Sequence, residues 1–465
     1  MTLSQPVHFV GVSGIGMSAL ARVLAMRGVA VSGCSDRATE LTDRLEQEGI
    51  AVAIGHAAEH VRDARTLVVS SAVSADNPEV LAARERGIPV LRRGGLLAAL
   101  VAEARGIAVA GTHGKTTTTA MLAAVLAGGG LDPTVVVGGE LVAGATNARC
   151  GVGPWFVAES DESDGSFLEL RPQIAVVTNV ENDHVGSDVE FAALVRSFER
   201  FLAEIPASGV AVVGIDDRHA AAIAGLTRAA RTVTFGFGDA DVAARRVSYA
   251  GFGSTFSVEA FGRRLGIVKL ALPGAINVQN ALGAIAVGVE TGIPFSTAAD
   301  ALAAFRGVRR RFEVLARGPR MTVVDDYAHH PTAVEATIAA ARADWDGPLV
   351  VALQPHRYTR TQYLARDFAL ALRGADRVVL TDVYAASEAP LDGVDARSIG
   401  EPLREFGCDV SYVARVEDLP EYLLRTVGPG SLVLTLGAGT ITLAAHRLAA
   451  ELNAGAPVGG EALAR

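Results

Sequence analysis

The sequence is poor in lysine. Only Lys115 and Lys269 occur among 42 lysine and arginine residues, and the formal net charge is −9. This acidic balance, without a lysine-rich tract, argues against a protein that binds nucleic acids generally. Cysteine is also scarce: Cys34, Cys150 and Cys408 form an odd, scattered set without the spacing of a metal motif. Such a set indicates a reducing compartment and structural thiols.

Long hydrophobic runs are missing too. No apolar stretch reaches about 18 residues, the length of a membrane span, without an interrupting glycine, proline or charge. The N-terminus lacks a basic segment followed by an apolar core, so we expect no signal peptide, no membrane insertion and a cytoplasmic location. Half of the 465 residues are hydrophobic and 20% are charged, which favours packed domains, about three at ~150 residues each.

Short predicted strands and helices alternate along most of the chain. We predict an α/β protein of three domains: an N-terminal Rossmann-like domain over residues 1–105, a central P-loop ATPase-like domain over 106–313 and a C-terminal Rossmann-like domain over 314–465. Residues 230–272 contain short, glycine-punctuated segments such as Arg231–Phe235. They predict a small antiparallel β appendage on the central domain.

The most informative motif is Gly111-Thr-His-Gly-Lys-Thr116. It follows an apolar run, 106–110, that is typical of a strand, and it precedes an alanine- and leucine-rich stretch, 117–127, that is typical of a helix. Such a loop presents backbone N–H groups and a helix N-terminus to phosphate, with Lys115 near the terminal phosphates and Thr116 as a ligand of Mg²⁺. The motif is shorter than the usual P-loop, and it predicts a nucleoside triphosphate site.

Carboxylates follow the next predicted strands. Glu159-Ser-Asp-Glu-Ser-Asp164 places four of them in six residues at a strand end, and Asp183-His184 ends another strand and turn. Carboxylates this close repel one another unless a cation lies between them, and oxygen ligands suit Mg²⁺. We therefore expect one metal ion at the first group and a second at His184.

The third predicted domain gathers histidine, arginine and tyrosine at two strand ends. The segments are Asp325-Asp-Tyr-Ala-His-His-Pro331 and Gln354-Pro-His-Arg-Tyr-Thr-Arg360. Parallel sheets bind ligands at this edge, and Arg357 and Arg360 suit the recognition of carboxylate or phosphate by paired N–H donors.

Two further patterns leave alternatives open. Gly11-Val-Ser-Gly-Ile-Gly16 resembles a dinucleotide fingerprint with Asp36 as a ribose partner. Ser13 in place of the middle glycine hinders approach to a pyrophosphate, which favours another nucleotide or a plain tight turn. Asn277 and Asn280, three apart at a predicted helix start, either cap that helix or contact an adenine edge.

With these motifs the chain resembles the Mur ligase family nearly end to end. The resemblance rests on Gly111–Thr118, Glu159–Asp164, Asp325–Pro331 and Gln354–Thr361. It implies an ATP-dependent ligase that joins L-alanine to the carboxylate of UDP-N-acetylmuramate through an acyl phosphate, in peptidoglycan precursor synthesis. It also implies a UDP-binding domain, an ATP-binding domain and a C-terminal domain that closes over the active site.

Alternative functions remain at this stage. A sibling ligase that recycles a muramyl tripeptide is the alternative within the family, although it lacks the Pro-His-Arg-Tyr run of residues 355–358. A nicotinamide oxidoreductase would leave the phosphate loop and the acidic loop unexplained. A non-catalytic nucleotide switch would leave the histidine and arginine cluster of the third domain unexplained.

The resemblance implies three groups of site residues. The residues expected to hold ATP are Gly111, Thr112, His113, Gly114, Lys115, Thr116, Thr117, Asn280 and Asp325. Those expected to ligate two Mg²⁺ ions are Thr116, Glu159 and His184. Those expected to contact UDP-N-acetylmuramate are Gly14, Asp36, Ser70, Ser71, Arg93, Tyr327, His329, Arg357 and Arg360. Lys115 and Arg360 are implied to act in catalysis. We expect His329 to be the base that takes the proton of the alanine ammonium.

The chain departs from the family pattern in several places. Ser13 and Ile276 stand where the family usually has glycine and histidine, Thr440 stands where it has aspartate, and the loop after His184 is shorter. Siblings that add later residues bridge their metals with a carbamoylated lysine in the central domain. Residues 116–268 contain no lysine, so that bridge cannot exist here.

Overall fold

The structure, a computed structural model, describes residues 3–144, 146–182 and 188–454. Within these ranges the chain forms three β-sheets with helices packed on them. The predicted three-part α/β architecture is therefore confirmed. None of the helices in these ranges is long and apolar enough to cross a membrane.

The first sheet has five parallel strands in the order β3-β2-β1-β4-β5. Its strands are β1 (Val7–Val10), β2 (Val31–Ser35), β3 (Ala51–Ile54), β4 (Thr66–Val69) and β5 (Val90–Arg92). Its helices are α1 (Ile15–Met26), α2 (Glu40–Gln47), α3 (Pro78–Glu85) and α4 (Arg93–Ala102). The strand order reverses at β1, so the carboxyl end of β1 is the topological switch point where open α/β sheets bind ligands.

Local sequence signals explain the ends of these helices. Thr39 and Thr42 exchange hydrogen bonds in a capping box at the start of α2. Asn77 accepts hydrogen bonds from the first N–H groups of α3, which has Pro78 at its first position. Gly28 adopts a φ of +80° just after α1, a conformation that ends the helix.

The second sheet has the order β15-β14-β13-β12-β11-β10-β6-β9-β7-β8. Its strands are β6 (Arg105–Ala110), β7 (Thr134–Val136), β8 (Ala148–Arg149), β9 (Trp155–Glu159), β10 (Ile174–Val177), β11 (Val210–Gly214), β12 (Arg231–Gly236), β13 (Val242–Ala250), β14 (Gly253–Ala260) and β15 (Arg263–Leu270). Its helices are α5 (Lys115–Gly128), α6 (Asp188–Ala203), α7 (Arg218–Ile223), α8 (Ala275–Glu290) and α9 (Phe295–Ala304). Central strand β6 lies between β9 and β10 and is parallel to both.

The β appendage is smaller than predicted. β12, which contains Arg231–Phe235, pairs in parallel with β11 and β13, so the prediction that placed this segment in the antiparallel part is wrong. Its alternating pattern marks a strand but not its direction, which is set by the crossover through α7. Strands β13, β14 and β15 form the appendage, joined by only two residues each, as antiparallel hairpins require. Gly251–Phe252 and Phe261–Gly262 all have positive φ, which matches type I′ turns.

The third sheet has the order β16-β17-β21-β18-β19-β20, with β16 antiparallel at one edge and the other strands parallel. Its strands are β16 (Glu313–Arg317), β17 (Met321–Asp326), β18 (Leu349–Leu353), β19 (Arg377–Leu380), β20 (Asp409–Tyr412) and β21 (Ser431–Leu436). Its helices are α10 (Pro331–Arg342), α11 (Tyr358–Tyr363), α12 (Ala365–Leu372), α13 (Arg397–Glu405), α14 (Leu419–Thr426) and α15 (Ile441–Ala454). Successive residues of β18 enter separate apolar clusters, Val351 one and Val350 the other. Helices therefore cover both faces of this sheet.

The described chain divides into two compact units. The first comprises the described residues through Val247 together with Thr255–Leu270 and Asn277–Arg306. The second comprises Ser248–Ser254, Ala271–Ile276 and the described residues from Gly307 onward. The first sheet and most of the second thus share a unit. The domain boundaries at residues 105 and 313, like the closing of the C-terminal domain, stay predictions.

Candidate active site

The phosphate loop lies between β6 and α5, as predicted. Gly111 has a φ of +134° and Gly114, which precedes α5, a φ of +81°. A Cβ at Gly111 would clash with the Thr178 hydroxyl, and one at Gly114 would clash with the Asn280 amide oxygen. Only glycine fits at both positions, because they combine left-handed or extended positive φ with close neighbours. The N-terminus of the 14-residue helix α5 faces the loop and can bind an anion.

Two residues after β10 hold this loop in place. The Asn179 side chain accepts a hydrogen bond from the His113 N–H at 2.8 Å and donates to the His113 carbonyl at 3.1 Å. The Thr178 hydroxyl donates to the same carbonyl at 2.6 Å. Sequence reasoning missed Thr178 and Asn179, although their place just after a strand was a usable signal. They act on the loop because β10 is the neighbour of β6.

Lys115 lies at the centre of the loop. Its ammonium donates to the Gly111 carbonyl at 2.5 Å and the Thr112 carbonyl at 3.0 Å, and it forms an ion pair with Glu162 at 2.8 Å. Burial raises the pKa of Glu162 to about 7, against the opposing effect of the Lys115 charge. Glu162 is therefore a buried counter-charge of Lys115, a role that sequence reasoning did not assign.

Thr116 and Glu159 form an oxygen-rich group beside Lys115. The Thr116 hydroxyl donates to Glu159 Oε1 at 3.0 Å, and the Gly138 N–H donates to Glu159 Oε2 at 2.6 Å. A hydroxyl and a carboxylate in contact are the donor types that Mg²⁺ prefers, so these residues fit such an ion. His184 and Asp183 lie outside the described residues.

Asn280 braces the loop from α8. It is 4% exposed, and its amide oxygen accepts from the Thr118 hydroxyl at 3.1 Å. Because α8 begins at Ala275, Asn280 lies in its second turn, and the alternative that this residue caps the helix is excluded. The adenine contact stays a prediction.

The predicted uridine-binding residues lie at the carboxyl edge of the first sheet. Gly14 precedes α1, Asp36 follows β2, and Ser70 and Ser71 follow β4. These strands flank β1, so the structure brings the residues to the switch point of the sheet. Their contacts with a ligand stay predictions.

Arg93, at the start of α4, connects this edge with the acidic loop. Its guanidinium donates to Asp164 at 3.1 Å, and a Cβ at Gly16 would lie 3.1 Å from one of its nitrogens. Burial would raise the pKa of Asp164, but hydrogen bonds from Ser166 and the charge of Arg93 lower it. Arg93 therefore lies between the turn after β1 and the loop that follows β9.

In the second unit, Asp325 is enclosed at the end of β17. It is fully buried, accepts hydrogen bonds from Thr435 at 2.7 Å and Thr442 at 2.8 Å, and lies 3.7 Å from the Arg310 Nε. Burial lowers the pKa of Arg310, and the Asp325 charge opposes that shift. Asp325 thus joins three elements of this unit, and its predicted role in holding ATP stays a prediction.

Tyr327 and His329 lie just beyond β17 and are half-buried. The guanidinium groups of Arg310 and Arg311 lie over the Tyr327 ring, 4.8 and 5.0 Å from its centre. The His329 Nδ1 lies 2.9 Å from the Tyr327 carbonyl, and its ring lies 5.3 Å from that of His356. A carbonyl can only accept, so the proton sits on Nδ1 and Nε2 is the basic nitrogen.

The two predicted anion-binding arginines lie at the end of β18. Arg357 is exposed, with a φ of +69°, and its N–H donates to the Tyr384 carbonyl at 2.8 Å. Arg360 lies one turn further along, on α11, and is half-buried. The side-chain amide of Gln354, just before these arginines, donates a hydrogen bond to the Thr440 hydroxyl at 3.1 Å. Thr440, which stands where the family usually has aspartate, thus supports this edge of the third sheet.

Comparison with known proteins identifies the family to which the chain belongs. Family models match residues 6–105 as "Mur ligase family, catalytic domain", 155–288 as "Mur ligase middle domain" and 310–439 as "Mur ligase, glutamate ligase domain". The chain belongs to the Mur ligase family.

Within this family, the chain is similar to several individual proteins. A UDP-N-acetylmuramate–L-alanine ligase of Geotalea uraniireducens is 47% identical over 451 residues, which cover 97% of this chain and 98% of that protein. The solved structure of a UDP-N-acetylmuramate–alanine ligase from Thermotoga maritima matches with a TM-score of 0.83 and 31% identity, over 96% of this chain and 99% of that one. A murein peptide ligase from Psychrobacter arcticus shares the fold, with a TM-score of 0.72 and 24% identity over 96% and 98% of the chains.

Proposed function

We propose that this chain is an ATP-dependent ligase that forms an amide bond between the carboxylate of UDP-N-acetylmuramate and the amine of L-alanine. The observation that carries the proposal is the phosphate loop, in which Lys115 and the Thr116–Glu159 pair lie together. It occurs in a chain that is 47% identical over nearly its whole length to a ligase of this name. The product is a peptidoglycan precursor, and we place the reaction in the cytoplasm, where ATP is available.

In the first step the muramoyl carboxylate attacks the γ-phosphorus of ATP, giving an acyl phosphate and ADP. Lys115 neutralises charge on the transferring phosphoryl group, and the N-terminus of α5 holds the remaining phosphates. Thr116 and Glu159 would hold Mg²⁺, which neutralises further phosphate charge when bound. Phosphoryl transfer needs little more than positioning and charge neutralisation, and these residues supply both.

In the second step the neutral amine of alanine attacks the acyl carbon, and inorganic phosphate leaves. The ammonium form must first lose a proton. His329 suits this task, because the Tyr327 carbonyl holds the proton of Nδ1 and leaves Nε2 as the basic nitrogen. Arg357 and Arg360 suit the anionic groups of the substrate.

The test measures phosphate release from ATP with UDP-N-acetylmuramate and a panel of acceptors: L-alanine, glycine, L-serine, D-alanine and the muramyl tripeptide. Mass spectrometry identifies the product. We expect turnover that requires both substrates and is fastest with L-alanine. A preference for the tripeptide would make the chain a recycling ligase, and the absence of any ligated product would refute the proposal.

A further inference from the structure

Five side chains that have no part in the proposed reaction lie close together, on strands of the first sheet and on the segments that pack beside them. His8 lies on β1, Cys34 on β2, His56 just after β3, His60 in a short 3₁₀ turn and Glu79 in the first turn of α3. Glu79 and Cys34 are fully buried and His8 is 2% exposed. We call this group the Glu79 cluster. Its members are spread over 72 positions of the chain, so only folding brings them together.

The ligand atoms of the cluster lie slightly closer together than the ligands of one metal ion. Cys34 Sγ, His56 Nδ1 and Glu79 Oε2 form a triangle with sides of 3.3, 3.1 and 2.8 Å. The ligand atoms of His8, Cys34 and Glu79 all lie within 4.8 Å of one another. A tetrahedral zinc ion with bonds of 2.0–2.3 Å places its ligand atoms about 3.3–3.8 Å apart. Small side-chain shifts would therefore bring four donors to one ion.

The outer contacts orient both imidazoles toward the cluster. His8 Nδ1 lies 2.8 Å from the Ser32 hydroxyl, and His56 Nε2 lies 2.8 Å from Asp36. Each ring therefore turns its other nitrogen inward, and the buried His8 Nε2 lies 3.7 Å from Glu79 Oε1, beyond hydrogen-bond distance. His60 holds the second oxygen of Glu79 at 2.6 Å. Metal-binding histidines and carboxylates in proteins have outer partners of this kind.

The buried carboxylate of the cluster also suits a cation. Glu79 is fully buried, and the Cys34 thiol and the three histidines surround it. A bound dication would neutralise this carboxylate and deprotonate the thiol.

We propose that His8, Cys34, His56 and Glu79 form a binding site for a borderline divalent cation of the Zn²⁺ class, separate from the Mg²⁺ site. One thiolate, two imidazoles and one carboxylate suit Zn²⁺ or Co²⁺, whereas Mg²⁺ prefers oxygen ligands. On binding, Cys34 loses its thiol proton and His56 loses the Nδ1 proton that it donates to Glu79; both protons leave to solvent and the metal takes their places. The side chain of His56 is 24% exposed, which leaves a route for the ion to enter.

The test uses the full chain, stripped with a chelator and then titrated with Co²⁺ in excess Mg²⁺, which fills sites that prefer oxygen ligands. We expect one tightly bound Co²⁺ per chain with a thiolate-to-cobalt charge-transfer band, displacement by Zn²⁺, and release of about two protons, one from Cys34 and one from His56. Cys34→Ser should abolish the band and weaken Zn²⁺ binding by at least about 10-fold. A double variant, Cys150→Ser with Cys408→Ser, should keep both.

A second variant keeps the test decisive if Cys34→Ser does not fold. His56→Gln retains the thiol, and we expect it to weaken Co²⁺ binding by at least about 10-fold as well. The proposal is overturned if the parent shows no charge-transfer band, if the band survives in folded Cys34→Ser, or if the double variant loses it. Since the readouts are spectroscopic, they do not depend on the ligase reaction.

Discussion

Replacing Gly138 with alanine tests the position of Glu159 without substituting any charged residue. The Gly138 N–H donates to Glu159, and a Cβ at this position would lie 2.5 Å from both carboxylate oxygens. Ordinary van der Waals contact begins at 3.4 Å, so the carboxylate must move by about 0.9 Å. That movement separates Glu159 Oε1 from the Thr116 hydroxyl, now 3.0 Å away.

The expected effect is on metal binding and not on folding. A ligand displaced by about 1 Å should weaken Mg²⁺ binding by about 10–100-fold, as loss of a supporting contact does, or about 1.4–2.7 kcal/mol. Gly138 is not among the residues with positive φ, so alanine introduces no backbone strain. The free energy of unfolding should therefore change by less than about 1 kcal/mol.

Phosphate release measured against Mg²⁺ concentration checks this, together with direct Mn²⁺ binding by electron paramagnetic resonance. Gly138→Ala should need about 10–100 times more Mg²⁺ for half-maximal rate. Gly238→Ala is the matched control, because a Cβ there has no neighbour within 4 Å. A folded Gly138→Ala protein with the parent's Mg²⁺ and Mn²⁺ dependence would refute the assignment of Glu159 as a metal ligand.

Other outcomes follow from neighbouring residues. Lys115→Ala should lower kcat by about 10³-fold or more, while Lys269→Ala, which removes the only other lysine, exposed on β15, should not; equal rates in both variants would contradict the loop assignment. Burial raises the pKa of Glu162 from 4.5 to about 7, so the folded protein binds this proton more tightly than the unfolded chain does. The protonated Glu162 therefore stabilises the fold below pH 4.5, and this stabilisation is lost as the pH rises to 7. In the Glu162→Gln variant, Tm should no longer fall with this pH dependence. If the plots of Tm against pH for parent and variant run parallel, this prediction is contradicted. Activity should not respond to bicarbonate or degassing, since residues 116–268 contain no lysine to carbamoylate; a reversible dependence measured by phosphate release would show that a carbamate exists.

Much of the fold could be predicted because hydrophobic period and turn residues act locally. The strand and the helix predicted over residues 106–110 and 117–127 correspond to β6 and α5. Strand direction was not predictable in the same way. β12 has an ordinary strand pattern, yet its parallel pairing depends on a crossover helix and on neighbours distant in the chain.

The phosphate loop was visible in the sequence because its residues are contiguous and their spacing has a mechanism. Its supports were not visible, because they come from other strand ends. Asn179 meets the loop since β10 is paired with β6, and Gly138 is needed only because Glu159 approaches it. Likewise, an aspartate at a strand end such as Asp325 can point outward or inward, and its hydrogen bonds to β21 and α15 hold it inward.

The sequence by itself determined the order of strands and helices, the phosphate loop and the absence of a central-domain lysine, since each depends on residue type and short-range spacing. Tertiary structure alone decided which distant side chains meet. Strand order and the packing of α3 bring Cys34 to His8, His56 and Glu79, because parallel strands align residues that no linear spacing connects.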